Sequence, residues 1–329
     1  MENFQKLFES FTKLKVGVIG DVMLDTYMWG KVDRISPEAP VPVVVLDKKE
    51  YRIGGAGNVA LNCHSLGSQV FILSVTGDDT EALLLEELFN ESMIDTSYLL
   101  KSSSRPTTSK TRIISRNQQM IRLDAEVTRV LDKELEESLL KQVRSFIQKN
   151  DPNVMIFEDY NKGVLTERVI NEVITICKEA GVITAVDPKR RNFFSYHHAD
   201  IFKPNLGEVK GGLNLLFEEV DAPLLSKIHL ELKNIIEHKI SFITLSDKGV
   251  FYQQDSKASI IPSHLRNIAD VSGAGDTVIA VAALVYAVTK DVHLMAEIAN
   301  IAGGLVCEEV GTVAIDKGKL QSECELLLS

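Results

Sequence analysis

Short apolar runs alternate along this chain with longer stretches whose apolar residues recur every three to four positions. The short runs lie at residues 15–19, 69–75, 153–157, 182–186, 200–203, 240–245 and 249–253. The helical stretches lie at 79–92, 133–149, 166–180, 224–237, 274–289 and 292–310. Strands that alternate with helices in this way specify a mostly parallel central sheet flanked by helices on both faces, an α/β fold. A further amphipathic helix opens the chain, with Phe4, Leu7, Phe8, Phe11 and Leu14 at helical spacing. The alternation is interrupted where Pro37, Pro40 and Pro42 punctuate the chain and residues 42–46 read as a strand outside the main sheet. Residues 109–115 and 119–124 read as two more, paired in a hairpin across Arg116-Asn117-Gln118. These interruptions predict a small β lid, inserted at about 34–53 and 105–125, on a single domain spanning 1–329. No internal repeat, low-complexity segment or linker divides the chain. The exposed apolar face of such a lid favours pairing with a second copy, so a homodimer through the lid is expected.

A chain of 329 residues can bury a sizeable core. Its net charge of −10 argues against a general partner among nucleic acids or anionic membranes. Any anionic ligand must therefore meet a local cluster of basic residues. Cys63, Cys177, Cys307 and Cys324 are scattered without metal-ligand spacing, and they read as reduced, packed thiols. The first residues lack a basic region followed by an apolar core, so no secretory signal is expected. The longest apolar run, 278–288, is too short to span a bilayer. The expected location is the cytoplasm.

A polar turn, Asp270-Val271-Ser272-Gly273-Ala274-Gly275-Asp276, runs directly into the apolar stretch 277–288. Gly273 and Gly275 let the backbone fold tightly and approach a ligand. The start of the following helix leaves unpaired N–H groups with partial positive charge, ready to hold an anion. Asp276 sits in the first helical turn. An acid there favours the helix dipole; beside a bound phosphate it is also placed to take a proton from an attacking hydroxyl.

Polar groups collect at other strand ends, as expected for a site along the C-terminal edge of one sheet. Asp25 follows the first strand and is either a loop cap or an acceptor for a polyol. Asp159 and Lys162 follow residues 153–157, as candidates for a sugar and for a phosphate on it. Asp187-Pro188-Lys189-Arg190-Arg191 is a solvated charge run or an anion site. Asn205 and Glu208 have capping-box spacing, and their oxygens also suit a hydrated magnesium ion. Gly54-Gly55-Ala56-Gly57-Asn58 opens a helix that runs to about Leu66. Gly55-x-Gly57-x-x-Ala60, with Asp78 about 20 residues on, satisfies a relaxed dinucleotide fingerprint. A tight turn at a helix start is the plainer reading, and residues 48–52 make a poor strand to lead into the glycines. No P-loop, His-x-x-x-His pair or Gly-x-Ser-x-Gly elbow occurs.

The Asp-x-Ser-Gly-Ala-Gly-Asp-Thr at 270–277 resembles the C-terminal signature of the ribokinase-like (PfkB-type) sugar kinases. The resemblance extends in family order from about residue 15 to 315. It implies a ribokinase-like fold with a β lid. It implies that Gly273, Ala274 and Gly275 form an anion hole and that Asp276 is the general base. Gly54, Gly55 and Asn58 then meet the sugar. Asn205, Leu206, Gly207 and Glu208 lie by the nucleotide phosphates, with Asn205 and Glu208 organising Mg²⁺ through water. Thr244-Leu245-Ser246-Asp247-Lys248-Gly249 matches the family's Thr-x-Gly-x-x-Gly with Ser246 at its first glycine, and Asn300 falls where the family contacts the nucleoside. ATP and Mg²⁺ are the implied cofactors, with a monovalent cation as a further candidate.

Residues 20–25, 34–43, 54–60, 115–124 and 187–189 resemble one branch in particular. Its members phosphorylate the anomeric 1-hydroxyl of D-glycero-β-D-manno-heptose 7-phosphate, on the route to ADP-heptose for bacterial lipopolysaccharide. That resemblance makes Arg116, Lys162 and Lys189 candidates for the distant 7-phosphate. It often comes with a fused C-terminal nucleotidyltransferase, whose His-x-Gly-His motif is not found in these residues, so a separate nucleotidyltransferase is the expectation. Another ribokinase-like kinase of a sugar phosphate or nucleoside, a dinucleotide-dependent oxidoreductase and a non-catalytic sugar-binding regulator are the competing readings.

Overall fold

The computed structural model describes residues 4–116 and 118–328. Its central strands are apolar on both faces. In β1 (Lys15–Gly20), the five residues after Lys15 are all buried, and β4 (Gln69–Gly77), β8 (Val154–Glu158) and β9 (Ile183–Asp187) repeat the pattern. A strand buried on both faces needs a helical layer on each side. With β5 (Asp95–Ser102), β10 (Ile201–Phe202), β11 (Ile240–Thr244), β12 (Val250–Gln254) and β13 (Lys257–Ile261), these strands form a nine-stranded sheet in the order β13-β12-β11-β10-β9-β8-β1-β4-β5. All neighbours from β5 to β11 are parallel, and β12 and β13 extend one edge antiparallel.

One face carries α1 (Phe4–Ser10), α2 (Ala56–Ser65), α3 (Thr80–Glu91), α8 (Ala274–Thr289), α9 (Val292–Val306) and α10 (Lys317–Leu327). The other carries α4 (Lys133–Asn150), α5 (Glu167–Glu179), α6 (Leu206–Leu213) and α7 (Ala222–Ile236). Every residue of α8 from Asp276 to Tyr286 is buried, because α8 is apolar around its whole circumference and runs beneath α2 and α9. That burial fixes where its first turn points. Among the described residues no helix is long and apolar enough to cross a membrane.

The lid is a second sheet of β2 (Val22–Ile35), β3 (Pro42–Gly55), β6 (Ser109–Ser115) and β7 (Gln118–Ala125), in the order β3-β2-β6-β7. It begins earlier than the expected 34–53 insertion. Asp25 therefore lies inside a lid strand and not in a loop. Residues 48–52, expected to be a poor strand, are part of β3. Their charged side chains face solvent and pair with one another (Lys48 and Arg52 with Glu50, 2.8 and 2.7 Å), so no apolar alternation marks them. The predicted β6–β7 hairpin is present, and Asn117 of its turn lies outside the described residues. Two lid strands shift register near Gly30, where a Cβ would sit 2.3 Å from the Val45 carbonyl oxygen.

Candidate active site

The C-terminal ends of β1, β8, β9, β10 and β11 open on one edge of the sheet, and the N-terminus of α8 points there. Gly273 is left-handed (φ +79°), and α8 starts at Ala274. The first backbone bond of the helical ladder is Thr277 N–H to the Gly273 carbonyl, at 3.0 Å. The amides of Gly275 and Asp276 precede it and face the site as donors. A Cβ on Gly275 would lie 3.6 Å from Asp187 Oδ2 and 3.8 Å from Lys203 Nζ, so the turn faces both groups at van der Waals range. Asp270 braces the turn from behind by accepting the Ser272 amide and hydroxyl and the Gly311 amide (3.0, 2.8 and 2.9 Å).

Asp276 is only 4% exposed. Asn58 Nδ2 donates to its Oδ2 at 2.7 Å and the Tyr160 hydroxyl to its Oδ1 at 2.9 Å. Burial pushes its carboxyl up to about 6; the Asn58 bond opposes this, the Asp187 charge adds to it and the Tyr160 bond opposes it again. A carboxylate with that pKa is ionised at neutral pH yet basic enough to take a proton in a transition state. The expected kcat/KM profile therefore has an acid limb near pH 6, with activity lost as pH falls through it. Tyr160→Phe deletes a bond to the ionised form, so its limb should move to higher pH. A profile flat down to pH 5 would show that Asp276 is not the titrating base.

Asp187 ends β9 and binds two ammonium groups, Lys203 Nζ at 2.8 Å and Lys189 Nζ at 3.1 Å. Burial opposes its ionisation, but Lys189 and Lys203 outweigh burial and hold it below the usual carboxylate range. Glu158 ends β8, in register with Asp187, and is fully buried. Burial and then the charges of Asp187 and Asp276 push its carboxyl well up. One oxygen each from Glu158, Asp187 and Asp276 lie within 4.8 Å of one another. These are hard donors of the kind that hold small divalent cations, so the residues present fit magnesium.

Asn205 and Glu208 form a full capping box on α6, each side chain accepting the other's amide at 2.8 Å, and Glu208 also pairs with Lys189 at 2.8 Å. Leu206 and Gly207 form the first turn of α6 between them. Asn205 bridges Thr244 at the end of β11, two residues before Ser246. Ser246 is left-handed at φ +59°, a conformation that glycine adopts at lower cost. Gly249 also has positive φ, and a Cβ there would lie 2.0 Å from the Ile261 carbonyl oxygen. Asn300 Nδ2 donates to the Pro262 carbonyl at 2.8 Å. The expected nucleotide-side residues thus converge on one groove along residues 244–263.

The sugar-side residues converge only in part. Asp25, Gly54, Gly55 and Asn58 come together under the lid. A Cβ on Gly54 would fall 2.5 Å from Asp25 Oδ2, and Gly55 has φ +60° with the Asp21 carbonyl 2.3 Å from its Cβ position. Asn58, expected on sugar hydroxyls, gives one of its two amide N–H groups to Asp276. Asp159, expected on the sugar, points into the core, where its oxygens accept the Asn161 amide, Asn192 Nδ2 and the Tyr196 hydroxyl (2.7, 3.0 and 2.9 Å). Lys189, expected at the distant phosphate, is instead held among Asp187 and Glu208 at the phosphate-transfer end. Within one chain Arg116 lies apart from the other sugar-side residues. Asp25 lies opposite Lys110 and Gly30 opposite Ser115, which puts Arg116 about 20 Å along the strand, exposed, 3.5 Å from Asp33. Lys162 stays near the sugar side, paired with Glu126 at 2.7 Å.

The basic group that sequence reasoning missed is Lys110 on β6. It is half-buried beside Asp25, Arg112 and Lys162, with its ammonium 5.3 Å from the Tyr160 ring centroid. Among the described residues it has no hydrogen-bond or ion-pair partner, whereas Arg112 bonds Asp25 at 2.6 Å. Tyr160, Glu158, Asp187 and Lys203 were also missed as site residues. Their one signal was a charged or polar residue ending each of several adjacent parallel strands. The dinucleotide reading fails here, because the glycines follow an antiparallel lid strand. A Cβ on Gly57 would fall 2.2 Å from Ile53 Cγ2 and 3.0 Å from the Phe89 ring, so this glycine serves packing and not a pyrophosphate.

A lidded parallel sheet with an anion-binding glycine turn and a buried base defines a ribokinase-like sugar kinase. The pfkB family of carbohydrate kinases matches residues 13–317, and the chain belongs to that family. Among its relatives are proteins named bifunctional protein HldE. That of Helicobacter acinonychis is 37% identical over 298 residues, covering 91% of this chain and 64% of the relative. That of Campylobacter curvus is 34% identical over 320 residues, covering 96% and 66%. The chain thus spans a little under two thirds of the length of these relatives. Similar solved structures include Escherichia coli phosphofructokinase-2 in complex with potassium (TM-score 0.78, 16% identity, 96% of this chain and 99% of that one). Arabidopsis thaliana ribokinase complexed with ribose and ATP is also similar (TM-score 0.71, 16% identity, 94% and 98%).

Proposed function

We propose that this sugar kinase uses Mg²⁺-ATP to phosphorylate the anomeric 1-hydroxyl of D-glycero-β-D-manno-heptose 7-phosphate, giving the 1,7-bisphosphate. The observation that carries the phosphosugar reading is Lys110, an unpaired ammonium half-buried under the lid beside Asp25. Such a group is stabilised by an anion on the substrate. The heptose itself rests on the branch-specific stretches 20–25, 34–43 and 115–124 and on likeness to relatives of bifunctional name.

The sugar lies against Asp25, Gly54 and Gly55, with its 7-phosphate toward Lys110 and Lys162. The nucleotide lies along Asn205–Glu208, Ser246–Gly249 and Asn300. Asp276 accepts the proton of the anomeric hydroxyl as its oxygen attacks the γ-phosphorus in line, and the bond to the ADP oxygen breaks. The amides of Gly275 and Asp276, presented by the Gly273 turn, hold the charge on the transferred group, while the Ala274 amide bonds the Val271 carbonyl within the turn. Asn58 and Tyr160 keep the Asp276 carboxylate aimed. When bound, magnesium would neutralise charge on the phosphates, and Asn205 and Glu208 are the groups that would hold it through water. Nucleotidyl transfer onto the sugar is a separate activity in this reading.

The test is ADP release with the heptose phosphate beside fructose 6-phosphate, fructose 1-phosphate, ribose and adenosine. Ribose and adenosine, which leave Lys110 without an anion, should fall behind the heptose phosphate in kcat/KM by at least about 10²-fold. The two fructose phosphates should be discriminated by the sugar contacts at Asp25, Gly54 and Gly55. Preference for any other acceptor would reassign the substrate within the family.

The lid also exposes Ile35, Val45, Leu46, Ile121 and Leu123, an apolar set suited to a second copy of the chain. Sedimentation velocity should therefore show a dimer, and Ile121→Asp with Leu123→Asp should give monomers. A monomeric wild type would contradict lid pairing.

A further inference from the structure

Glu158 has no part in the mechanism above, yet it lies at the centre of the site. It is fully buried, and neither carboxylate oxygen has a hydrogen-bond partner. Its neighbours are already engaged elsewhere. Asn58 and Tyr160 take the two oxygens of Asp276, and Lys203 and Lys189 take those of Asp187. No donor reaches Glu158 itself among the described residues. An isolated buried carboxylate costs several kcal/mol, so something must complete this one.

The charges show what is missing. Glu158, Asp187, Asp276 and Glu208 bring four carboxylates to the pocket, and Lys189 and Lys203 bring two ammonium groups. The remainder matches one divalent cation. The geometry agrees: an oxygen from each of Glu158, Asp187 and Asp276 falls within 4.8 Å of the others, close to the span of a small ion's ligand shell. Each oxygen of Asp187 still has a lone pair beyond its ammonium bond.

We propose that Glu158 is a direct ligand of a divalent cation held between it and Asp187. This site is distinct from the Asn205–Glu208 element, which is expected to act through water. Asp276 stays bonded to Asn58 and Tyr160 and contributes charge to the pocket. The site holds whichever sugar the lid takes. It also gives a reason for an acidic residue at the end of β8, where the strand register sets it directly beside Asp187.

The experiment titrates Mn²⁺ into the nucleotide-free protein and reads free Mn²⁺ by electron paramagnetic resonance. Wild type and Glu172→Gln, a partly exposed carboxylate of α5 that pairs with Arg144 and Arg168, should bind one Mn²⁺ alike. Glu158→Gln should bind it at least about tenfold more weakly, as loss of a ligand demands. Gln has the shape of a protonated Glu. Binding equal to wild type in Glu158→Gln would therefore overturn the proposal and leave a proton as the group that completes the pocket. Wild-type crystals soaked in Mn²⁺ give a second test that needs no variant. An anomalous peak at bonding distance from a Glu158 oxygen is expected; a peak only beside Asn205 and Glu208, or none, would contradict the site.

Discussion

Asn in place of Asp276 should lower turnover by roughly 10²-fold or more while ATP still binds. The change is isosteric, and the Tyr160 hydroxyl still finds an acceptor. What goes is the proton acceptor at the head of α8. Nucleotide affinity should hold, because the groove along residues 244–263 and the amides of Gly273–Gly275 are untouched. Stability should change little. Removing the charge relieves the cost of burial that, with repulsion from Asp187, pushes the Asp276 carboxyl up to about 6, while Asn58 Nδ2 loses its acceptor. The measurements are ADP release, calorimetry with ATP and a thermal melt. Near-wild-type turnover would remove Asp276 from the base role.

Lys110→Gln should raise KM for the phosphosugar by about 10- to 100-fold and change kcat little. A charge-assisted bond to a phosphate is worth about 1.5–3 kcal/mol, and it is made equally in ground and transition states. The effect should vanish with the sugar that lacks the phosphate, which separates a lost phosphate contact from a disturbed lid. Arg116→Ala should leave KM near wild type when the site is built from one chain. An unchanged KM in Lys110→Gln with a raised one in Arg116→Ala would mean that the phosphate sits elsewhere, reached by the tip of a lid.

The main sheet was legible because its strands are buried on both faces, which leaves continuous apolar runs in the sequence. Edge elements were less legible. In β5 only Tyr98 and Ser102 are buried, and α10 buries only Leu320 and Cys324, so neither shows a strong period. The lid was placed too late in the chain because the first six residues of β2 are buried like those of the main sheet and the charged residues of β3 pair along the surface.

The nucleotide side of the site was legible because its residues come as short local motifs tied to turns, such as Asn205 with Glu208 and Gly273 with Asp276. The strand-end cluster was not, because register assembles it from distant residues. Glu158 and Asp187 meet only once β8 and β9 pair, and Asn58 meets Asp276 only once α2 packs on α8. The same blindness hid the neighbours of Lys189 and Asp159. A basic residue after a strand looks the same in sequence whether it faces a sugar phosphate or a neighbouring carboxylate.

The most direct test of the whole account is the position of the transferred phosphate. Wild-type protein would be incubated with Mg²⁺-ATP and D-glycero-β-D-manno-heptose 7-phosphate, and the product read by phosphorus NMR with coupling to the sugar protons. The account predicts one new phosphate, coupled to the anomeric proton, formed by wild type and not by Asp276→Asn. A phosphate on any other carbon, or no heptose product while another sugar is phosphorylated, would contradict it.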